Sequence, residues 1–506
     1  YPWDKKNLKS LQVDLETLAK LDAYALKVNG HRTLELLVKD LLCEASTDLE
    51  KTRAIWIWIC HHIEYDVAET KSKGLVPPDP DATFQSRKTV CAGYPLLFQR
   101  MCSKVQGYLC IIKSELNVFT LKIGLLFSFA HGYWHFKHSN HCRYNEFYFL
   151  THPALFIEDH FPEQMHYQLL ESPLSQKQFE ENVQHRSHFY TLGLGSSHPH
   201  TSAIETVKGK ASVTIERSQH IKFIITLNET EMPGLITLTK HGTIFDVYPQ
   251  KPGQHLLQIF AKRPGSDKAY HLVLDHIIDC RTVNNSLKIP KSLSNPVGPS
   301  WISEKAGLIQ PSHVDPVIHT EDGHCTIGFE LEQDLCVFPT LHSDETLMTP
   351  GTEHRHTFNM QKHNTIEIMV RLPCAGTYVL RVNIMPNDSN VYTSQCNYLI
   401  HCTNASVKWP VFPLAYESWA KNYELVEPLD GVLPENSPIH FKLRVPEAES
   451  VSVKAKKSVP LSLNEKGFWE GTCNTNDCKN VYVLVCHKDQ PNSCDYILQY
   501  DVDNRQ

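Results

Sequence analysis

Apolar residues recur at helical spacing through residues 8–66. Leu11, Leu15, Leu18 and Leu21 form one stripe, and Leu34, Leu37, Val38, Leu41 and Leu42 form a second. Ser46 or Thr47 is placed to cap a third helix, whose bulky face runs through Ile55, Trp56, Ile59, Ile63 and Tyr65 and suits core packing. Gly74 and Pro77-Pro78-Asp79-Pro80 mark a loop. The next helix is expected to start near Cys91 and to run through Leu96, Leu97 and Met101. The most apolar stretch, Leu116 to Ala130, carries Lys122 and is too short for a membrane span, so it reads as buried core.

From about residue 200 the spacing changes to strand-like alternation, as in Ala211-Ser212-Val213-Thr214-Ile215-Glu216 and Thr377-Tyr378-Val379-Leu380-Arg381-Val382. A strand, polar turn, strand pattern occurs three times. The first copy ends at Cys280, the second at Cys402 and the third at Val502, each behind a turn and an alternating strand. The period, about 100 to 120 residues, is the size of one β-sandwich. Asn295-Pro296-Val297-Gly298-Pro299-Ser300-Trp301 and Trp409-Pro410-Val411-Phe412-Pro413 look like linkers with aromatic anchors. The expected organisation is therefore a helical lead and first domain over 1–165, then β-sandwich modules over 166–285, 286–405 and 406–506.

With 49 Lys plus Arg against 56 Asp plus Glu, the net charge of −7 argues against a nucleic-acid partner, which would show a basic face. The 16 cysteines are irregularly spaced and do not demand a disulfide framework. With no C-x-x-C pair present, they match no metal site well. Neither a cofactor nor a metal is expected. Sequons begin at Asn228, Asn284, Asn387 and Asn404, but such short patterns arise often by chance. The cysteine usage favours a reducing, intracellular compartment.

The chemistry concentrates at Cys91. A thiol at a helix start meets unpaired N–H groups and the positive end of the dipole, which favour the thiolate, the reactive form. Arg87 and Lys88 could add to that field, and Gly93 would let another backbone or a substrate approach closely. Taken alone, a cysteine there is more often structural.

The surrounding residues carry more. Arg53-Ala54-Ile55-Trp56-Ile57-Trp58-Ile59 with Ile63-Glu64-Tyr65-Asp66, and Thr89-Val90-Cys91-Ala92-Gly93-Tyr94 with Leu97-Phe98, resemble the helix before the nucleophile and the nucleophile segment of transglutaminase-like domains. Tyr144-Asn145-Glu146-Phe147-Tyr148-Phe149-Leu150-Thr151-His152-Pro153, Phe156-Ile157-Glu158-Asp159-His160-Phe161-Pro162 and Pro296-Val297-Gly298-Pro299-Ser300-Trp301 resemble the kyphoscoliosis peptidase family across nearly the whole chain. The resemblance implies an α+β, papain-like domain of the transglutaminase type followed by tandem all-β immunoglobulin-like sandwiches. It implies a Cys-His-Asp cysteine peptidase or acyl transferase with Cys91 as nucleophile. Its partners would be protein substrates or cytoskeletal and sarcomeric proteins, and its location the cytoplasm at the muscle Z-disc.

One departure bears on activity. The family follows the cysteine helix with a His-Ala-Trp-Asn strand and an Asp-x-Thr-Trp strand, and neither motif occurs here. The first domain is expected to be disrupted over about 107–143. His131 with Trp134 can stand in for the catalytic histidine strand with the spacing off by one residue. Alternatively Gly132-Tyr133-Trp134-His135-Phe136 matches the segment before the family's Asp, which places Ile123 at the histidine and His138 at the acid. Asp159 belongs to a different motif and receives no role. His131, His135, His138 and His141 with Cys142 read as a solvated cluster, not a metal site. Three readings stay open: a spliced or misassembled product lacking the strand-coding stretch, a pseudoenzyme, or an enzyme with a displaced histidine. The functional alternatives are a cysteine peptidase with docking modules and a catalytically inactive scaffold; a secreted adhesion protein rests on the sequons alone.

Overall fold

A computed structural model describes residues 15–66, 78–90, 92–105 and 146–503, except for 150, 159, 163–164, 169, 232–233, 267–268, 285–286, 288, 334, 345–347, 350, 386–390 and 489–492. The chain divides into two compact units. The first is Tyr1–Gly195 with His200–Ala203 and His271–His276; the second is Ser196–Pro199, Ile204–Tyr270 and Ile277–Gln506.

In the first unit, α1 (Leu15–Ala25) buries Leu18, Leu21 and Ala25, the stripe expected from spacing; Leu11 lies outside the described residues. α2 (Leu34–Leu41) is capped by Thr33, whose side chain accepts from the Leu36 N–H. α3 (Asp48–His62) starts at a capping box, in which Thr47 accepts from the Glu50 N–H and Glu50 reaches back to the Thr47 N–H. The helix differs from expectation in two ways. Every residue from Arg53 to Cys60 is buried, so α3 is enclosed on all sides instead of presenting one face. It also stops at His62, and Glu64–Tyr65 form a short strand, β1.

The loop region holds structure that spacing did not announce. Asp79 caps α4 (Pro80–Ser86), with Pro80 at its first turn, where a missing N–H costs nothing. Arg87 then takes a left-handed conformation at φ 57°, and Lys88–Thr89 form β2, which pairs parallel with β1. α5 (Gly93–Cys102) begins two residues after Cys91 and buries Tyr94, Leu97, Phe98 and Met101 against α3 and α4.

The second unit is built mainly of antiparallel strand pairs. The repeat segments form long strands in all three places: Gly253–Lys262 and His271–Cys280, of which His271–His276 belongs to the first unit, then Gly376–Met385 and Thr393–Cys402, and Asn480–His487 and Cys494–Asp503. The last two are paired antiparallel hairpins. The alternating strands ahead of them are Ala211–Arg217, His324–Leu331 and Pro438–Arg444, each burying every second residue over most of its length. In the last two modules a short strand also pairs in parallel with the final strand, Val317–His319 with Thr393–Cys402 and Val432–Pro434 with Cys494–Asp503. These are tandem immunoglobulin-like sandwiches.

The final strands repeat one device. Tyr398 and Tyr500 are fully buried, and each hydroxyl donates to a carbonyl of the leading segment, His313 at 2.8 Å and Pro428 at 3.1 Å. Aligning Cys280 with Cys402 puts His276 at the same place, and its Nδ1 lies 3.0 Å from the Thr201 carbonyl.

The linkers are part of the cores. Val297 is fully buried, donates its N–H to Ile236 O, and packs with Leu235, Leu287, Leu293, Val379 and Leu399. Trp301 opens a short helix capped by Ser300 and stacks on His220 at 4.1 Å. At the second junction Arg371 lies over Phe412 at 4.4 Å and Trp409 at 4.9 Å while pairing with Asp430 at 2.7 Å. Arg355 pairs with Asp501 at 2.6 Å and donates to the Phe412 and Gly431 carbonyls.

One disulfide joins Cys486 and Cys494, and eleven other described cysteines are free thiols. Among the described residues no helix is long and apolar enough to cross a membrane.

Candidate functional site

The segments flanking Cys91 are built tightly. Gly93 is required by contact: a Cβ there would lie 1.8 Å from Thr89 Oγ1, so β2 and the first turn of α5 approach closer than any side chain allows. Thr89 is itself buried beside Thr83. The buried Tyr94 hydroxyl donates to the Ile63 carbonyl at 3.3 Å, tying α5 to the end of α3. Helix, turn and strand thus bracket the cysteine in the order α3, β1, α4, β2, α5.

Cys91 itself lies outside the described residues, and so do His131, Asp159 and the cluster His135, His138, His141 and Cys142. The cations expected to act on the thiol are engaged elsewhere. Arg87 lies over Trp58 at 4.5 Å and Phe84 at 4.7 Å, and burial lowers its pKa. Lys88 pairs with Glu64 at 3.5 Å on the exposed side of the strands. His62 stacks on Trp58 at 4.9 Å, with Nδ1 3.0 Å from the Trp58 carbonyl; burial pushes its pKa down. Among the described residues no group of three or more His, Cys, Asp or Glu side chains could hold a metal ion.

Two buried polar clusters escaped the sequence reading. Arg53, 1% exposed, holds Asp22 with Nε and Nη2 at 2.9 and 2.7 Å and Glu146 with Nη2 at 3.0 Å, while its guanidinium covers Trp56 and Phe149. This anchors the segment that resumes at residue 146 onto α3. The second cluster joins Glu158, 1% exposed, to His185, 6% exposed: Oε2 lies 2.8 Å from Nδ1 and accepts the His185 N–H at 3.3 Å. His160, also buried, stacks on Phe156 at 4.4 Å. The only sequence signal was a charged Glu158-Asp159-His160 run between apolar neighbours, which does not name its partner 27 residues on.

A family model described as a KY-like, immunoglobulin-like domain matches residues 176–291 and again 297–413. Kyphoscoliosis peptidase of Homo sapiens is 43% identical over 527 residues, covering 99% of this chain and 79% of that protein. The chain belongs to the kyphoscoliosis peptidase family. The Mus musculus kyphoscoliosis peptidase is 42% identical over 100% of this chain and 80% of its own length. A LIM and transglutaminase domain protein of Caenorhabditis elegans is 24% identical over 73% of this chain and 59% of that protein. The alignment with the human kyphoscoliosis peptidase, at 527 residues, exceeds the 506 of this family member, so the relative carries residues with no counterpart here.

Proposed function

We propose that the chain is a transglutaminase-like cysteine peptidase of the muscle cytoskeleton, with Cys91 as the nucleophile and the sandwich modules as its docking arms at the Z-disc. The observation that carries this reading is that α5 begins at Gly93, two residues after Cys91 in the sequence, in a member of the kyphoscoliosis peptidase family. A thiolate at a helix N-terminus would attack a carbonyl carbon and form a thioester. A histidine would take the thiol proton and return it to the leaving amine, and an acid would orient that histidine. Water would release the acyl group in hydrolysis, an amine in transamidation. His131 is the candidate base by its partial match to the histidine strand, off by one residue.

The second reading is a catalytically inactive scaffold of the same location. It is supported by the absence of His-Ala-Trp-Asn and Asp-x-Thr-Trp from the chain. Alkylation of the full chain at acidic pH separates the two. An enzyme shows Cys91 modified well ahead of the exposed Cys43, because its thiolate persists below the ordinary thiol range. Equal rates at Cys91 and Cys43 sink the peptidase reading. Retention of cytoskeletal binding by Cys91→Ala is expected of both; a loss of binding with the fold intact counts against the scaffold.

A further inference from the structure

We propose that Cys486 and Cys494 form a reversible thiol–disulfide exchange site that clamps the outer end of the last hairpin. The two cysteines stand directly opposite each other on antiparallel strands, with Cα atoms 4.3 Å apart. Strand pairing therefore holds both sulfurs together whether or not they are bonded. Cys494 is exposed, open to an attacking thiolate, and Cys486 is half-buried.

Position decides what the bond controls. The ladder shifts register between Val483 and Leu484, so Ile497 and Leu498 are both buried side by side. Beyond that irregularity only three rungs remain: Leu484 with Tyr496, Val485 with Asp495, and the cysteine pair. On the Cys494 strand these outer residues are all exposed. Most of the module's core, with Val481, Val483, Leu498 and Tyr500, lies inside the irregularity; Val485, buried on an outer rung, is held separately by its pairing with Val451 on the strand Ala448–Lys454. In the same module Cys473 and Cys478 stay thiols, and burial raises both above the usual thiol range. Only the outer pair combines opposition with exposure among the described cysteines.

The co-reactant is a small monothiol such as glutathione. Its thiolate attacks the Cys494 sulfur, forming a mixed disulfide and expelling the Cys486 thiolate, which takes up a proton. A second thiolate attacks the small-molecule sulfur of that mixed disulfide and expels the Cys494 thiolate, which is protonated in turn. The protein disulfide gains two electrons, and two monothiols become one disulfide. Opening frees the three outer rungs and leaves the module folded.

The test uses the full chain in glutathione buffers of stepped oxidation, without denaturant. Cys486 and Cys494 are trapped by alkylation and read by mass, and tryptic cleavage after Lys488 is timed in parallel. The proposal expects the pair to close in oxidised and open in reduced buffer, with cleavage after Lys488 about tenfold faster when open, as local opening governs proteolysis. It also expects C486S/C494S to be cut at the fast rate in every buffer. A pair that never closes, that opens only on denaturation, or whose opening leaves the cleavage rate unchanged overturns it.

Discussion

Arg53 and Glu146 meet 93 residues apart in the chain, one on the central helix and the other at the point where the described chain resumes. The guanidinium is nearly inaccessible and also serves Asp22, while the carboxylates of Asp22 and Glu146 keep 21% and 36% of their side-chain surface open to water. Removing the shared cation takes a charged donor from both acids. Arg53→Met is expected to cost about 1.5 to 3 kcal/mol, the range for hydrogen bonds to charged groups. Glu146→Gln should cost less, because Asp22 still neutralises the arginine. Denaturant unfolding of the two variants measures the difference; similar small losses would mean the cluster does not hold residues 146–149 on α3.

Gly93→Ala places a methyl 1.8 Å from Thr89 Oγ1. Strand or helix must move, at a cost of about 1 to 3 kcal/mol for overpacking. Thr89→Ala in the same chain removes the nearest atoms and is expected to recover part of that loss. If the double variant is no more stable than Gly93→Ala, the close approach is not what the glycine serves.

His276 stands where the following modules use Tyr398 and Tyr500, and this puts a titratable group at a position that tyrosine fills in the other two. Burial, opposed by the Thr201 carbonyl and Asp275, pushes its pKa from 6.5 down to about 4. The unfolded chain therefore binds a proton that the folded chain refuses between those values. Stability is full above pH 6.5 and falls as the pH drops toward 4, by up to about 3 kcal/mol at 1.36 kcal/mol per unit. Melting followed from pH 7 to 4 should show a loss that is smaller in His276→Tyr. An unchanged pH profile in that variant would remove His276 as the cause.

Arg355 and Arg371 close the joint between the last two modules. The double substitution Arg355→Ala, Arg371→Ala takes away two ion pairs and the cation packed on Trp409 and Phe412. Each module keeps its own core, so both should still fold while the joint loosens. Small-angle X-ray scattering is expected to show a broader distribution of interatomic distances for the variant; an unchanged distribution would place the rigidity in the Phe412 backbone instead.

Period and capping residues were enough to place α2, the start of α3 at Thr47 and the three long-strand pairs, because each depends on neighbours close in sequence. α4 was missed since a seven-residue helix among prolines carries too few apolar positions to show a period. Cys91 was marked as a helix-start residue, and α5 begins just after it. The partners of Arg53 and Glu158 were beyond reach because they are set by packing between distant segments. His276 is an intermediate case. Its equivalence to Tyr398 is visible once Cys280 and Cys402 are aligned, yet histidine and tyrosine share no pattern except the ability to donate one hydrogen bond from a buried ring.

The short parallel strands Val317–His319 and Val432–Pro434 have a mechanical consequence. Each lies beside the final strand of its own module and runs in the same direction. Pulling a module by its two ends then drags these neighbours past each other along their length, loading their hydrogen bonds together instead of peeling them one at a time. With the joints packed into the cores, little slack is available before that happens. A module so built yields by rupture of a strand pair, not by gradual stretching.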